Sequence, residues 1–137
     1  MKNVRGYNFS RPFMGERAPQ HVQNIVIKDF CNKNGLNFLL SATEYSMKNS
    51  SYILNELIND LENIYGIVAY SLFQLPEDEK KRKLMINKIL KKKKKIFFAC
   101  ENLKVTNIKE MNSVETIWRI RKSSENFDYN QLYKFKK

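Results

Sequence analysis

The sequence holds two cysteines, one histidine and four glycines among 137 residues, and each scarcity removes a class of function. Two cysteines, Cys31 and Cys100, make neither a disulfide framework nor a thiolate metal cluster, and their apolar flanks predict buried free thiols. His21, the one histidine, cannot supply an H-E-x-x-H pair. With glycine this sparse there is no G-x-G-x-x-G fingerprint and no glycine-rich phosphate loop. Nucleotide-dependent kinases, dinucleotide enzymes and zinc enzymes all lose support. No apolar run approaches the roughly 20 residues that span a bilayer. The start, Met1-Lys2-Asn3-Val4-Arg5-Gly6, lacks the apolar stretch of a secretory signal. A cytoplasmic protein with no membrane contact, no metal and no cofactor is the expectation.

What the chain has in excess is positive charge. Lysine and arginine number 25 against 14 acidic residues, a formal net charge of +11, which by itself would suit a polyanion. Much of the excess lies in Lys80, Lys81, Arg82, Lys83 and Lys88, in the run Lys91 to Lys95, and at the extreme C-terminus. Few aromatic residues stand among these cations, whereas a single-strand binder interleaves stacking surfaces with its charges. The lysine run reads as a solvated helix end, where cations favour the dipole, and nucleic acid is not the expected partner.

A chain of this length builds one core. Short apolar segments at Val4 to Phe9, Leu36 to Leu40, Gly66 to Tyr70 and Lys95 to Ala99 alternate with helical patterns, which predicts βαβ units. The expected fold is therefore α/β: a three-layer sandwich with a short parallel sheet of about four strands flanked by helices. The first helix is expected over Ala18 to Asn34, with Val22, Val26 and Phe30 on its inner face and Gly35 at its end. A second is expected over Ser51 to Asn63, with Ile53, Leu57, Leu61 and Ile64 inward. The third begins after Pro76, where Glu77, Asp78 and Glu79 suit a helix N-terminus, and finishes in the lysine run. The last covers Ser113 to Lys122. Residues 1–122 form the domain, and 123–137 a loosely held basic tail.

In open parallel sheets, ligands bind outside the carboxyl ends of the strands, where loops and helix N-termini gather. The residues expected there include Ser10, Arg11 and Arg17 after the first strand, Glu44 and Tyr45 after the second, Ser71 and Gln74 after the third, and Glu101 after the fourth. Arg11 and Arg17 could clamp a phosphate or carboxylate as a bidentate fork, or simply position their loop. His21, in the first helical turn, could exchange a proton near neutral pH. Glu44 is the stronger candidate base if partial burial beside Tyr45 raises its pKa; the alternative is a salt bridge to Arg11 or Arg17. Ser10 is a nucleophile only with a base in reach, and otherwise a helix cap or a ligand contact. Tyr45, Ser71, Gln74 and Glu101 would bind substrate, although Glu101 could instead brace the Asn102 to Ile108 loop. Trp118 suits the core better than a contact surface.

Two resemblances bear on these residues. Gly6-Tyr7-Asn8-Phe9-Ser10 and the strand–turn–helix from Ile67 to Leu90 resemble the catalytic domain of serine recombinases, which implies a resolvase-like fold, akin to flavodoxin, and a nucleophilic role for Ser10. Asn8, however, stands where that family carries an arginine, and Phe73-Gln74-Leu75-Pro76-Glu77 replaces an Asp-Arg-Leu-x-Arg motif, so DNA strand exchange is not expected. A further set of strings resembles the sporadic carbohydrate cluster family of bacterial surface-polysaccharide gene clusters. They are Arg5-Gly6-Tyr7, Ser10-Arg11-Pro12-Phe13-Met14-Gly15, Pro19-Gln20-His21-Val22-Gln23-Asn24, Leu40-Ser41-Ala42-Thr43-Glu44-Tyr45, Tyr70-Ser71-Leu72-Phe73-Gln74-Leu75-Pro76 and Ile117-Trp118-Arg119-Ile120-Arg121.

This second resemblance implies a part in surface-glycan biosynthesis and supplies no mechanism. The expected ligand is an anionic sugar intermediate: a sugar phosphate, a nonulosonic acid or a nucleotide sugar. Glu44 and His21 would move protons in an isomerisation, epimerisation or elimination. The alternative is a non-catalytic module that serves a pathway enzyme. A homo-oligomer is expected in either case.

Overall fold

The computed structural model describes residues 1–13, 18–47 and 49–125. Arg17 and positions 126–137 of the expected tail lie outside the described residues.

Strand β1, Asn3–Phe9, lies inside the sheet, paired on both edges. Asn37–Glu44 (β2) runs parallel to it on one side and Gly66–Ala69 (β3) on the other, and Lys95–Phe98 (β4) continues the parallel sheet beyond β3. Leu103–Val105 (β5) closes the far edge in the antiparallel sense, giving the order β2-β1-β3-β4-β5. The expected parallel core is present, with a fifth strand where a loop was expected. That strand is only three residues long, and its Leu-Lys-Val sequence carries too little periodicity to stand out.

Residue alternation along β1 sorts the core into two layers. Val4 joins Val68 and Phe97 under the helix Gln20–Lys33 (α1), through Ile27, Phe30 and Cys31. Tyr7 and Phe9 point the other way, into the larger cluster formed with Tyr52–Asn59 (α2), Glu79–Lys91 (α3) and Ile108–Glu125 (α4). Trp118 is buried in this second layer, as its place on an amphipathic helix predicts. Arg82 of α3 and Glu115 of α4 form a buried bidentate pair, Nη2–Oε1 2.6 Å and Nε–Oε2 2.7 Å, with the guanidinium 4.3 Å from the Trp118 ring.

Several local expectations shift. The inner stripe of α1 is Gln23, Ile27, Phe30 and Cys31, one position on from the predicted Val22 and Val26, and Val22 is exposed. β2 continues to Glu44, so Ser41, Thr43 and Glu44 belong to the strand and do not follow it. On α2 the buried residues are Leu54, Leu57 and Ile58, and the helix ends at Asn59. α4 begins earlier than expected and absorbs Ser123 to Glu125 from the predicted tail. Cys31 is buried as predicted, but Cys100 is exposed, in the turn that follows β4.

The lysine run has a structural task. α3 stops at Lys91, Lys93 turns left-handed at φ 59°, and the ammonium groups of Lys92 and Lys94 reach back to the carbonyls of Ile58 and Glu62 at 2.9 and 3.1 Å. They thus satisfy acceptors at and beyond the C-terminal end of α2, where a cation is also favoured by the dipole. Among the described residues no helix is long and apolar enough to cross a membrane.

Candidate functional site

The chain order of a parallel sheet determines where its loops part. Here β1 leads to α1 on one face, while its neighbour β3 leads to α3 on the other. The loops leaving the carboxyl ends of β1 and β3 therefore diverge, and such a switch point is where open α/β sheets bind ligands. A cleft of about 630 Å³ occupies this place. Its walls are the segment after β1, the segment after β3 and the loop joining β2 to α2.

Aromatic rings line the cleft. Phe9 and Phe13 meet edge to face at 5.6 Å, and Phe73 lies in the β3 wall, itself edge to face with Trp118 at 5.1 Å. Polar groups come from Ser46, Asn49, Ser50 and Ser51 on one side and Glu77, Asp78 and Lys81 on the other. Arg11 sits between these sets. Its guanidinium lies 4.1 Å from the Phe9 ring and donates to the carbonyls of Tyr45 and Ser50 at 2.7 and 2.9 Å. Two carbonyl dipoles orient the guanidinium without neutralising it, and among the described residues no carboxylate lies within ion-pair distance of Arg11. Arg11 is therefore a cation pre-positioned by neutral acceptors, and the other charged residues lining the cleft among the described residues are Lys81, Glu77 and Asp78.

Glu44 is arranged differently from the expected base. It is 1 % exposed and accepts from the Tyr7 hydroxyl at 2.8 Å, the Ser50 hydroxyl at 2.9 Å and the N–H groups of Ile53 and Leu54 at 3.0 and 3.1 Å. The Tyr45 N–H adds a longer contact of 3.2 Å. Ile53 and Leu54 belong to the first turn of α2, so Glu44 is the anion that this helix start binds. Burial alone would raise the carboxyl pKa, but the Ile53, Leu54, Tyr7 and Ser50 donors outweigh it and hold Glu44 below its ordinary value. This reverses the raised pKa expected from the sequence. Tyr7 moves the opposite way, its phenol pushed up first by burial and then by the adjacent carboxylate. The alternative salt bridge from Glu44 to Arg11 does not form, because Arg11 faces the loop carbonyls.

The other predicted residues fall at the same edge in separate groups. Ser10 is exposed, and its hydroxyl donates to the Glu44 carbonyl at 3.1 Å. Ser71 is buried; its hydroxyl donates to Glu101 at 2.8 Å and accepts from the Phe73 N–H at 3.2 Å, while the second Glu101 oxygen accepts from the Leu72 N–H at 2.9 Å. These bonds cap the 3₁₀ turn Leu72–Gln74 that forms the β3 wall. Gln74 lines the cleft, and its amide donates to Gln23 at 2.8 Å. Tyr45 is half exposed outside the cleft, while His21 is exposed in the first turn of α1 and is not among the lining residues.

Gln23 is the residue that pattern reading missed. It is fully buried, accepts from the Phe9 N–H at 2.9 Å, and donates to the Phe9 and Ala18 carbonyls at 2.9 and 2.8 Å. It thereby holds the end of β1 to the start of α1, and through Gln74 to the β3 wall. On the same face Asn8 is buried between Asn24 and Thr43, at 2.9 and 2.7 Å.

With this geometry in view, comparison with known proteins gives a fold. No protein-family model and no curated protein matches the sequence. The N-terminal catalytic domain of TP901-1 integrase superposes with a TM-score of 0.63 at 16% identity, over 88% of this chain and 95% of that one. A resolvase family site-specific recombinase from Streptococcus pneumoniae gives a TM-score of 0.63 at 8% identity, over 98% of this chain and 99% of that one. The fold is resolvase-like. At these identities the likeness extends to the fold alone.

Proposed function

We propose that this protein binds an anionic sugar intermediate of bacterial surface-glycan assembly in the switch-point cleft. The observation that carries this reading is Arg11, a fixed cation with no carboxylate partner among the described residues, set against aromatic rings in a cleft of about 630 Å³. A sugar ring offers an apolar C–H face to the half-buried Phe73, and its hydroxyls meet the serines, Asn49 and the acidic wall. Its phosphate or carboxylate meets the guanidinium in the two-pronged geometry that arginine provides. The resemblance of the Ser10 to Gly15 and Tyr70 to Pro76 strings to proteins of surface-polysaccharide clusters supports the same choice.

Binding without turnover is the better supported form of this role. Glu44, the expected base, is kept ionised and already accepts from the start of α2, while His21 is not among the residues lining the cleft. Turnover would then belong to a partner enzyme of the same pathway. Strand exchange on DNA has less support, since Asn8 stands at the position of a family arginine and its amide is occupied by Asn24 and Thr43.

Saturation-transfer NMR and calorimetry against sugar phosphates, nonulosonic acids and nucleotide sugars test the proposal. Binding of at least one class, lost in Arg11→Ala and weakened in Phe73→Ala, is the expected result. No binding, or binding that both variants retain, overturns it.

A further inference from the structure

The loop that joins β2 to α2 has two sides. Ser46, Asn49, Ser50 and Ser51 line the cleft, whereas the residues that open and close the loop, Tyr45 and Tyr52, do not. Asn49 takes a left-handed φ of 64° inside the loop, and the two tyrosine rings meet with centroids 5.9 Å apart and planes inclined by 26°. A tyrosine pair serving only to close the loop would gain most by burying its faces. These rings remain 50% and 56% exposed, and Met47 beside them is 67% exposed. Glu56, one turn along the same helix, lies near enough to raise the pKa of the Tyr52 hydroxyl. The Tyr45 carbonyl is the acceptor for Arg11 at 2.7 Å, so the stack starts one residue's backbone away from the cleft cation.

An exposed, pre-stacked aromatic pair next to a fixed cation matches a particular ligand chemistry. Aromatic faces bind planar heterocycles by stacking, and an arginine fork binds phosphate. We propose that the anionic sugar is delivered as a nucleoside diphosphate sugar, with its base stacked on the Tyr45–Tyr52 pair, its diphosphate at Arg11 and its sugar against Phe73 in the cleft. This rests on the anionic-sugar reading above and adds the base and its platform. It also makes the substrate contact expected of Tyr45 specific: the ring face matters, and the phenol oxygen does not.

The test separates the platform from the cation. Pyrophosphate, UDP and GDP are titrated calorimetrically into the full chain, with sugar 1-phosphates run in parallel. At least one nucleoside diphosphate should bind about tenfold or more tightly than pyrophosphate, the advantage that stacking of one base supplies. Tyr45→Ala, a truncation of a half-exposed side chain, should bring that nucleotide to the level of pyrophosphate, read as the ratio of the two affinities measured on the same variant. Tyr45→Phe should restore the difference. If sugar 1-phosphates bind but nucleoside diphosphates gain nothing over pyrophosphate, the platform is refuted while the Arg11 site stands. If Tyr45→Ala leaves the nucleotide advantage intact, the platform is likewise refuted. If no anion binds at all, both proposals fall together.

Discussion

Replacing Glu44 tests whether the buried carboxylate belongs to the architecture of the site. In Glu44→Ala the Tyr7 hydroxyl and the Leu54 N–H, whose bonds to Glu44 are both buried, lose their acceptor. Each buried donor left unsatisfied costs about 1–3 kcal/mol, so the variant should lose roughly 2–6 kcal/mol. That is a large share of the about 5–15 kcal/mol typical of a folded domain. Glu44→Gln keeps the shape and one acceptor oxygen, and should lose less. The pH dependence distinguishes charge from shape. The folded carboxyl is held below its ordinary pKa of 4.5, so its stabilisation is complete above that value and is lost as pH falls through the lower folded value. Wild type should therefore show an acid-side loss of stability that Glu44→Gln lacks in part. Urea unfolding followed by far-UV circular dichroism at about pH 7 and about pH 3.5 measures both effects. The midpoint of Glu44→Ala should fall by about 1 M or more at the higher pH. A loss below about 0.5 kcal/mol, or a Glu44→Gln protein whose acid-side loss equals that of wild type, refutes the reasoning.

Two further predictions concern the supports of the cleft. Gln23→Leu leaves the Phe9 N–H and carbonyl without their side-chain partner, so a thermal melt should show a loss of about 2–4 kcal/mol, and a melting point unchanged within about 2 °C would contradict it. Arg82→Met should cost about 3–5 kcal/mol because Glu115 is left buried and alone, whereas Arg82→Met with Glu115→Leu should recover most of that loss. A double variant as unstable as the single one would show that the pair is not what matters there.

The sheet was legible because its signals are local and repeated. Val4 to Phe9, Gly66 to Tyr70 and Lys95 to Ala99 are short apolar runs between helical periods, and they form strands within a residue of the expected bounds. β2 was underestimated because Ser41 and Thr43 look like loop residues, yet their hydroxyls are satisfied by Asn24 and Asn8 on the α1 side, which lets the strand continue. The stripe of α1 was displaced for a related reason. Gln23 is polar in the sequence and fully buried in the fold, since its amide pairs with the backbone of Phe9 fourteen positions earlier. Hydrophobic periodicity cannot register a buried residue whose burial depends on a distant hydrogen-bond partner.

The candidate site was legible in place and misjudged in parts, and the reason lies in what the carboxyl edge of a parallel sheet demands. Helix and turn starts gather there with N–H groups that have no partner in their own element. Polar side chains must collect at the edge to satisfy them, whether or not a ligand ever binds. Glu44 answers the first turn of α2, and Glu101 and Ser71 answer the 3₁₀ turn, so polarity at the edge marks architecture as readily as chemistry. The informative quantity is what remains after the protein's own donors and acceptors have been matched. Among the described residues at this edge, the remainder includes the Arg11 guanidinium, held by carbonyls alone, the half-buried Phe73 ring in the cleft wall and an exposed tyrosine pair, a set that fits a ligand carrying both negative charge and flat apolar surface.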